Sequence, residues 1–160
     1  MTNICFVCMG NTCRSPMAQY IFQSLVDKNN LSEQFKITSA GIYVNKQDMS
    51  LQTQEQLNKH NIPFNKHIST PLNKETYTET DYIFVMDDDV KSFLPDNRKI
   101  YKLLSFTDVS FLKENNIEDR NVTDPYGLTD YSFTYKVIYQ GCKDIFVHLV
   151  AKKGIGINNG

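Results

Sequence analysis

The sequence predicts an α/β fold: a single doubly wound domain with a central parallel sheet of about four strands and helices on both faces. Three observations predict it. Short apolar runs alternate with segments of helical periodicity along the chain. The first apolar run passes through a glycine- and asparagine-bearing turn straight into a helix. The length, 160 residues, suits one compact domain with its own core.

The elements follow in order. Asn3-Ile4-Cys5-Phe6-Val7 is a nearly all-apolar run and reads as the first strand. Cys8 to Pro16 then reads as a turn. Met17, Ile21 and Leu25, with Ala18 and Phe22 beside them, place an apolar stripe on one face of a helix. Ser15 is expected to cap that helix, and Pro16 suits its first turn. Phe35 to Ala40 alternates like a strand and stops at Gly41. Leu51 to Asn61 reads as a polar helix. Tyr82 to Met86 is a buried-type strand. The acidic turn Asp87-Asp88-Asp89 complements the start of a helix over Val90 to Leu94. Ile100 to Leu104 is the fourth strand. Tyr131, Tyr135, Ile138, Cys142, Ile145 and Leu149 form the stripe of a long last helix, which Lys152 and Lys153 close and Gly154 ends. The domain is expected over residues 1–153, and the glycine- and asparagine-rich residues 154–160 as a frayed tail.

Composition narrows the function. The formal net charge is −1, with 41% hydrophobic and 22% charged residues. A balanced surface argues against nucleic acid or membrane as a partner, so any anion must be held by a local device. No apolar run approaches the roughly 20 residues of a bilayer span, and Met1 to Cys8, with no basic segment and a short apolar stretch, is not expected to act as a secretion signal. A cytoplasmic location is expected, with reduced thiols. Of the four cysteines, Cys5, Cys8 and Cys13 lie within nine residues and Cys142 stands apart. Chemistry or burial therefore explains them better than a disulfide framework.

The chemistry is expected in Cys8-Met9-Gly10-Asn11-Thr12-Cys13-Arg14. A loop entering a helix N-terminus turns backbone N–H groups toward a common centre, where the helix dipole adds positive potential. Gly10 and Asn11 tolerate left-handed backbone angles, so the loop can curl into a cradle. Arg14 offers a planar fork matched to two phosphate oxygens. Such settings lower cysteine pKa values to about 3.5–7.5, which suits Cys8 as a nucleophile. Cys5 and Cys142 read as small buried hydrophobes. The cysteines and the three scattered histidines lack metal-ligand spacing, so no metal is expected. The Gly-Lys-Ser/Thr ending of a Walker loop is absent. Asp124-Pro125-Tyr126-Gly127 is a turn able to hold an acid over the site, although Asp-Pro is also common in ordinary turns.

These residues resemble the low-molecular-weight protein tyrosine phosphatase family. The resemblance is carried by the first strand, Cys8 to Ala18, Thr38-Ser39-Ala40-Gly41, Tyr82 to Asp87, and Asp124 to Gly127, and it covers most of the chain. It implies a cysteine-dependent protein phosphatase without cofactor. Cys8 would be the nucleophile of a phosphocysteine intermediate. Arg14 would bind phosphate, with the loop from Met9 to Ser15 and Tyr126 around it. Ser15 would donate to the Cys8 thiolate as it leaves, and Asp124 would serve as acid and then base. Asn11, Ser39 and His67 match a network supporting the loop, although His67 alone, like His60 and His148, reads as an ordinary loop histidine. Cys13 would be the redox neighbour of Cys8. The partners implied are phosphorylated proteins, with inorganic phosphate as product and the monomer as the favoured state.

Three features depart from the tyrosine-specific members. Thr12 stands where isoleucine is typical, the chain has no tryptophan, and Gly127 replaces a second tyrosine after Tyr126. All three point toward the branch resembling bacterial protein arginine phosphatases, as does His67-Ile68-Ser69-Thr70-Pro71-Leu72. There a threonine hydroxyl selects the guanidinium phosphate. Met86-Asp87-Asp88 is closer to the general family form. Phosphoarginine is favoured over phosphotyrosine on this balance. The competing readings are a thioredoxin-coupled arsenate reductase, for which relay cysteines between Cys13 and Cys142 are lacking, and a non-catalytic phosphoryl-binding module.

Overall fold

The computed structural model describes residues 1–154. Of the expected tail, only Gly154 is among them; residues 155–160 lie outside the described residues. The strands are β1 (Thr2–Cys8), β2 (Phe35–Gly41), β3 (Tyr82–Val85) and β4 (Ile100–Lys102). They form one parallel sheet in the order β2-β1-β3-β4. β1 has a neighbour on each side, Cys5 pairing with Thr38 and with Ile83. The chain reverses its winding across β1 and β3, so the loop after β1 opens into the crevice where such sheets bind ligands.

Alternation along β1 divides the core. Ile4, Phe6 and Cys8 turn to one face, where α1 (Arg14–Lys28) and α6 (Ser132–Lys152) cover them. Phe6, Phe22 and Phe84 meet there with ring centroids 5.7 and 5.8 Å from Phe6. Cys5 and Val7 turn to the other face, with Ala40, Ile83 and Val85. That face is covered through Tyr77 of α3 (Lys74–Glu79) and Val90 of α4 (Asp88–Ser92). Both faces are buried, which is why these strands read as nearly continuous apolar runs. Two thiols lie deep in this packing. Burial pushes the Cys5 thiol up to about 11 and the Cys142 thiol well above its ordinary value, so both behave as small hydrophobes.

The differences from expectation have local causes. α3 and α5 (Val109–Glu114) escape periodicity because six residues make under two turns. Their starts are visible in hindsight: Asn73 accepts from Thr76 N, and Asp108 stands at the cap of α5. α2 (Leu51–Lys59) stops short of Asn61, whose φ of 57° is left-handed. α4 begins two residues before Val90 because Asp87 caps it, its side chain accepting from Val90 N. β4 is shorter than Ile100 to Leu104, although Leu103 N still donates to Val85 O at 2.9 Å. α1 is not capped by Ser15. Its cap position is Cys13, which makes no side-chain cap bond, and Ser15 lies inside the helix. Gly154, at φ 72°, follows the end of α6.

Candidate active site

The loop from Cys8 to Arg14 joins the end of β1 to the start of α1. The turn is made at Asn11, whose φ is 56°. Gly10 does not use the left-handed region, and a Cβ there would meet its neighbours at ordinary distances, 3.8 Å or more. The expectation that both residues supply the turn is thereby corrected to Asn11 alone. The glycine that the loop needs is Gly41, at the end of β2. A Cβ on Gly41 would lie 3.0 Å from both Cβ and N of Asn11 and 2.8 Å from Val44 Cγ2. The strand end is bare so that the loop can lie against it.

Asn11 is fully buried and bonded in every direction. Thr70 N donates to its Oδ1 at 2.9 Å, and because a backbone N–H can only donate, this fixes the orientation of the amide. Nδ2 then donates to Ser15 Oγ at 2.7 Å and to Ser39 Oγ at 3.0 Å. His67 Nε2 donates to the Asn11 carbonyl at 2.8 Å, which requires the proton on Nε2. His67 is a buried loop histidine whose ring is bonded to the phosphate-loop backbone, where the resemblance placed it. His60 and His148 instead stack on Tyr135 and Phe106.

The chain of bonds has a direction. Ser39 Oγ donates to Gln19 Oε1 at 2.5 Å, so it must accept from Asn11. Ser15 Oγ also accepts from Asn11, which leaves its own proton for Cys8 Sγ, 2.9 Å away, or for Ala40 O at 3.4 Å. Asn11 N donates to the same sulfur at 3.2 Å. Cys8 Sγ, 3% exposed as a residue, thus accepts from Asn11 N and has the Ser15 hydroxyl 2.9 Å away, able to donate to it as a thiolate. Gln19 was missed at the sequence level. Its only signal there is its place one turn after Ser15 on the inward side of α1.

Arg14 is buried, with its side chain 3% exposed. Nη1 donates to Asp87 Oδ2 and to Val122 O, both at 2.7 Å. These use both Nη1 protons, so an incoming oxyanion is met by the Nε–H and Nη2–H edge, which matches two phosphate oxygens. Asp87 caps α4 with Oδ1 and holds Arg14 with Oδ2. Its hold on Arg14 was missed; Asp87 was read as part of a helix start and of a stretch carrying the resemblance, without a role in the site. Asp124 stands on the free edge of Arg14, with Oδ2 3.7 Å from Nη2. Its Oδ1 accepts from Tyr126 N at 3.1 Å, an Asx turn that orients the carboxyl. Asp124 is about half exposed and Tyr126 is 87% exposed.

Thr12 is half-buried. Its carbonyl accepts from Ser50 N at 2.9 Å, and Oγ1 lies 3.7 Å from Cys13 Sγ. Cys13 Sγ is 3.6 Å from Tyr131 Oη, and burial followed by this thiol pushes the Tyr131 phenol up to about 12. Met9 packs into the second core face and its carbonyl accepts from Ile42 N and Tyr43 N. The structure thus brings together Cys8, Arg14, Ser15, Asn11, Ser39, His67 and Asp124, and leaves Tyr126 at the rim.

The same loop, sheet and helices recur in known proteins. The sequence model described as low molecular weight phosphotyrosine protein phosphatase matches residues 3–154. The chain belongs to that family. A relative from Staphylococcus aureus (strain MRSA252), the low molecular weight protein-tyrosine-phosphatase PtpA, is 34% identical over 156 residues, 94% of this chain and 95% of its own. Among solved structures, YfkJ from Bacillus subtilis superposes with a TM-score of 0.82 at 28% identity, covering 96% of each chain. DARP, drosophila arginine phosphatase, gives 0.74 at 28% identity, covering 93% of this chain and 98% of that one. Membership makes the chain a cysteine-based phosphatase. No helix among the described residues is long and apolar enough to cross a membrane.

Proposed function

We propose that this phosphatase hydrolyses phosphorylated protein side chains with Cys8 as nucleophile, Arg14 as phosphate anchor and Asp124 as acid and base. The observation that carries the reading is the setting of Cys8 Sγ, which accepts from Asn11 N at 3.2 Å and lies 2.9 Å from the Ser15 hydroxyl. Cys8 thiolate attacks phosphorus from the floor of the cradle. The bond from phosphorus to the side-chain oxygen or nitrogen breaks, and the Asp124 carboxyl delivers its proton to that leaving atom. A Cys8–phosphate bond now holds the phosphoryl group, with its oxygens on Arg14 Nε and Nη2 and the loop N–H groups. Asp124, now a carboxylate, takes a proton from water as the water oxygen attacks phosphorus. The sulfur–phosphorus bond breaks, inorganic phosphate leaves, and Ser15 Oγ–H supports the returning thiolate.

Phosphoarginine is the favoured substrate residue and phosphotyrosine the alternative. Thr12 supports this order: its backbone is anchored by Ser50, while its hydroxyl makes only a long sulfur contact among the described residues. The hydroxyl is free to accept from a guanidinium N–H. The burial of Cys5 and Cys142 argues against a disulfide relay of the arsenate reductase kind. Cys13 is the thiol placed to protect Cys8 by reversible oxidation. The setting is the cytoplasm, where such thiols stay reduced, and the enzyme acts as a monomer. The deciding experiment is hydrolysis of an aryl phosphate in the presence of chelator by the native chain and by Cys8→Ser. Native turnover and a loss of at least about a thousandfold in the variant are expected; persistent turnover in Cys8→Ser removes the nucleophile from this scheme.

A further inference from the structure

A cavity of about 160 Å³ adjoins the acid loop. Its lining includes Ile117, Val122, Asp124, Leu128, Phe133 and Val137. Two of these residues also build the phosphate site. The Val122 carbonyl holds Arg14 Nη1 at 2.7 Å, and Asp124 Oδ2 lies 3.7 Å from Nη2. The cavity and the phosphate site therefore share a wall. On its rim, Leu128 is 56% and Phe133 52% exposed. Large apolar side chains left in water beside a catalytic site are unlike scattered surface hydrophobics, because here they frame a concave space.

We infer that this cavity is a substrate subsite that takes one apolar side chain of the target protein, from a residue adjacent to the phosphorylated one. The inference rests on the proposed function, which makes the substrate a polypeptide. Size selects the occupant. A dry protein cavity of about 150 Å³ holds a benzene-sized molecule, so the space accepts one leucine-, methionine- or phenylalanine-sized group. Reach agrees with this. A peptide advances at most about 3.3–3.6 Å per residue, and Asp124, which lines the cavity, lies 3.7 Å from Arg14 Nη2. Chemistry agrees too: the lining is mainly apolar, and Asp124 is committed to Tyr126 N and to the Arg14 side.

The test compares phosphopeptides, carrying phosphoarginine and phosphotyrosine in separate sets, whose residues just before and just after the phosphorylated position are leucine, phenylalanine or asparagine. The native enzyme should show kcat/KM about tenfold or more higher for an apolar neighbour on one side, expressed mainly in KM. Leu128→Gln and Phe133→Gln should erase that preference while turnover of a small aryl phosphate, which has no neighbour, stays within about twofold. Equal kcat/KM for apolar and asparagine neighbours overturns the inference. So does a fall in aryl-phosphate turnover in step with peptide turnover in the two variants. Absence of aryl-phosphate turnover in the native enzyme is a different failure, because it removes the phosphatase scheme and the subsite with it.

Discussion

Asp87 Oδ2 lies 2.7 Å from Arg14 Nη1, and the same carboxyl caps α4 through Val90 N at 2.9 Å. One residue thus ties Arg14, the proposed phosphate anchor, to the start of a helix on the opposite face of the sheet. Nη1 is consumed by Asp87 and Val122, and the guanidinium can then rotate in only one way, with its other edge toward the cradle.

Asp87→Asn should therefore lower kcat/KM at least about tenfold on an aryl phosphate while keeping most of the cap. Asp87→Ala should lose the cap as well, worth about 1 kcal/mol, and leave Arg14 without its closest charge partner. Both variants remove the negative partner of Arg14, and breaking a buried ion pair costs roughly 3–5 kcal/mol, so urea unfolding should show both destabilised and the alanine variant lower by about the further 1 kcal/mol of the cap.

Asp124 touches Arg14 only at 3.7 Å and is about half exposed. Its removal should affect chemistry more than folding. Asp124→Ala is expected to reduce kcat by roughly 10²–10⁴, with the inhibition constant of inorganic phosphate or vanadate changed only a few-fold. Equal losses in both would point to a binding module.

Thr12 tests the substrate residue. Thr12→Ile keeps the backbone bond to Ser50 but removes the hydroxyl. The ratio of kcat/KM for phosphoarginine over phosphotyrosine peptides should fall by about tenfold or more. A ratio that does not move toward phosphotyrosine removes Thr12 as the selector.

Cys5 predicts a loss of stability in alkali. Its thiol stays protonated in the folded chain up to about 11, against 9.0 as the ordinary value. Between those limits the unfolded chain releases a proton that the folded chain keeps. Stability is full below pH 9 and falls as pH rises toward 11. The loss is on the order of 3 kcal/mol at one pKa unit per 1.4 kcal/mol. Cys5→Ala should show a shallower decline between pH 9 and 11 in denaturant titrations.

How far the molecule was legible in its sequence depends on the range of the interactions. α1 and α6 were readable because fifteen and twenty-one residues give several turns of apolar period. α3 and α5 were not, because a six-residue helix is held by its cap and by tertiary contact rather than by a stripe. Within the candidate site, the convergence of Cys8, Asn11 and Arg14 was legible from their residue types on one strand–loop–helix, whereas Asp124 stood out only through the family resemblance.

What the amino-acid order determined by itself was local: a strand, a turn that only an asparagine-like residue makes easily, and a helix start behind a cysteine and an arginine. The tertiary structure alone decided the rest. The donor directions, from Asn11 outward to Ser39 and Gln19 on one side and to Ser15 beside Cys8 on the other, depend on residues separated by a strand and a helix. The aim of Arg14 depends on Asp87 and Val122, 73 and 108 positions away. Hydrogen bonds and ion pairs act over about 3–4 Å in space and carry no periodic trace in the chain. The sheet order β2-β1-β3-β4 is what brings those partners to one end of β1.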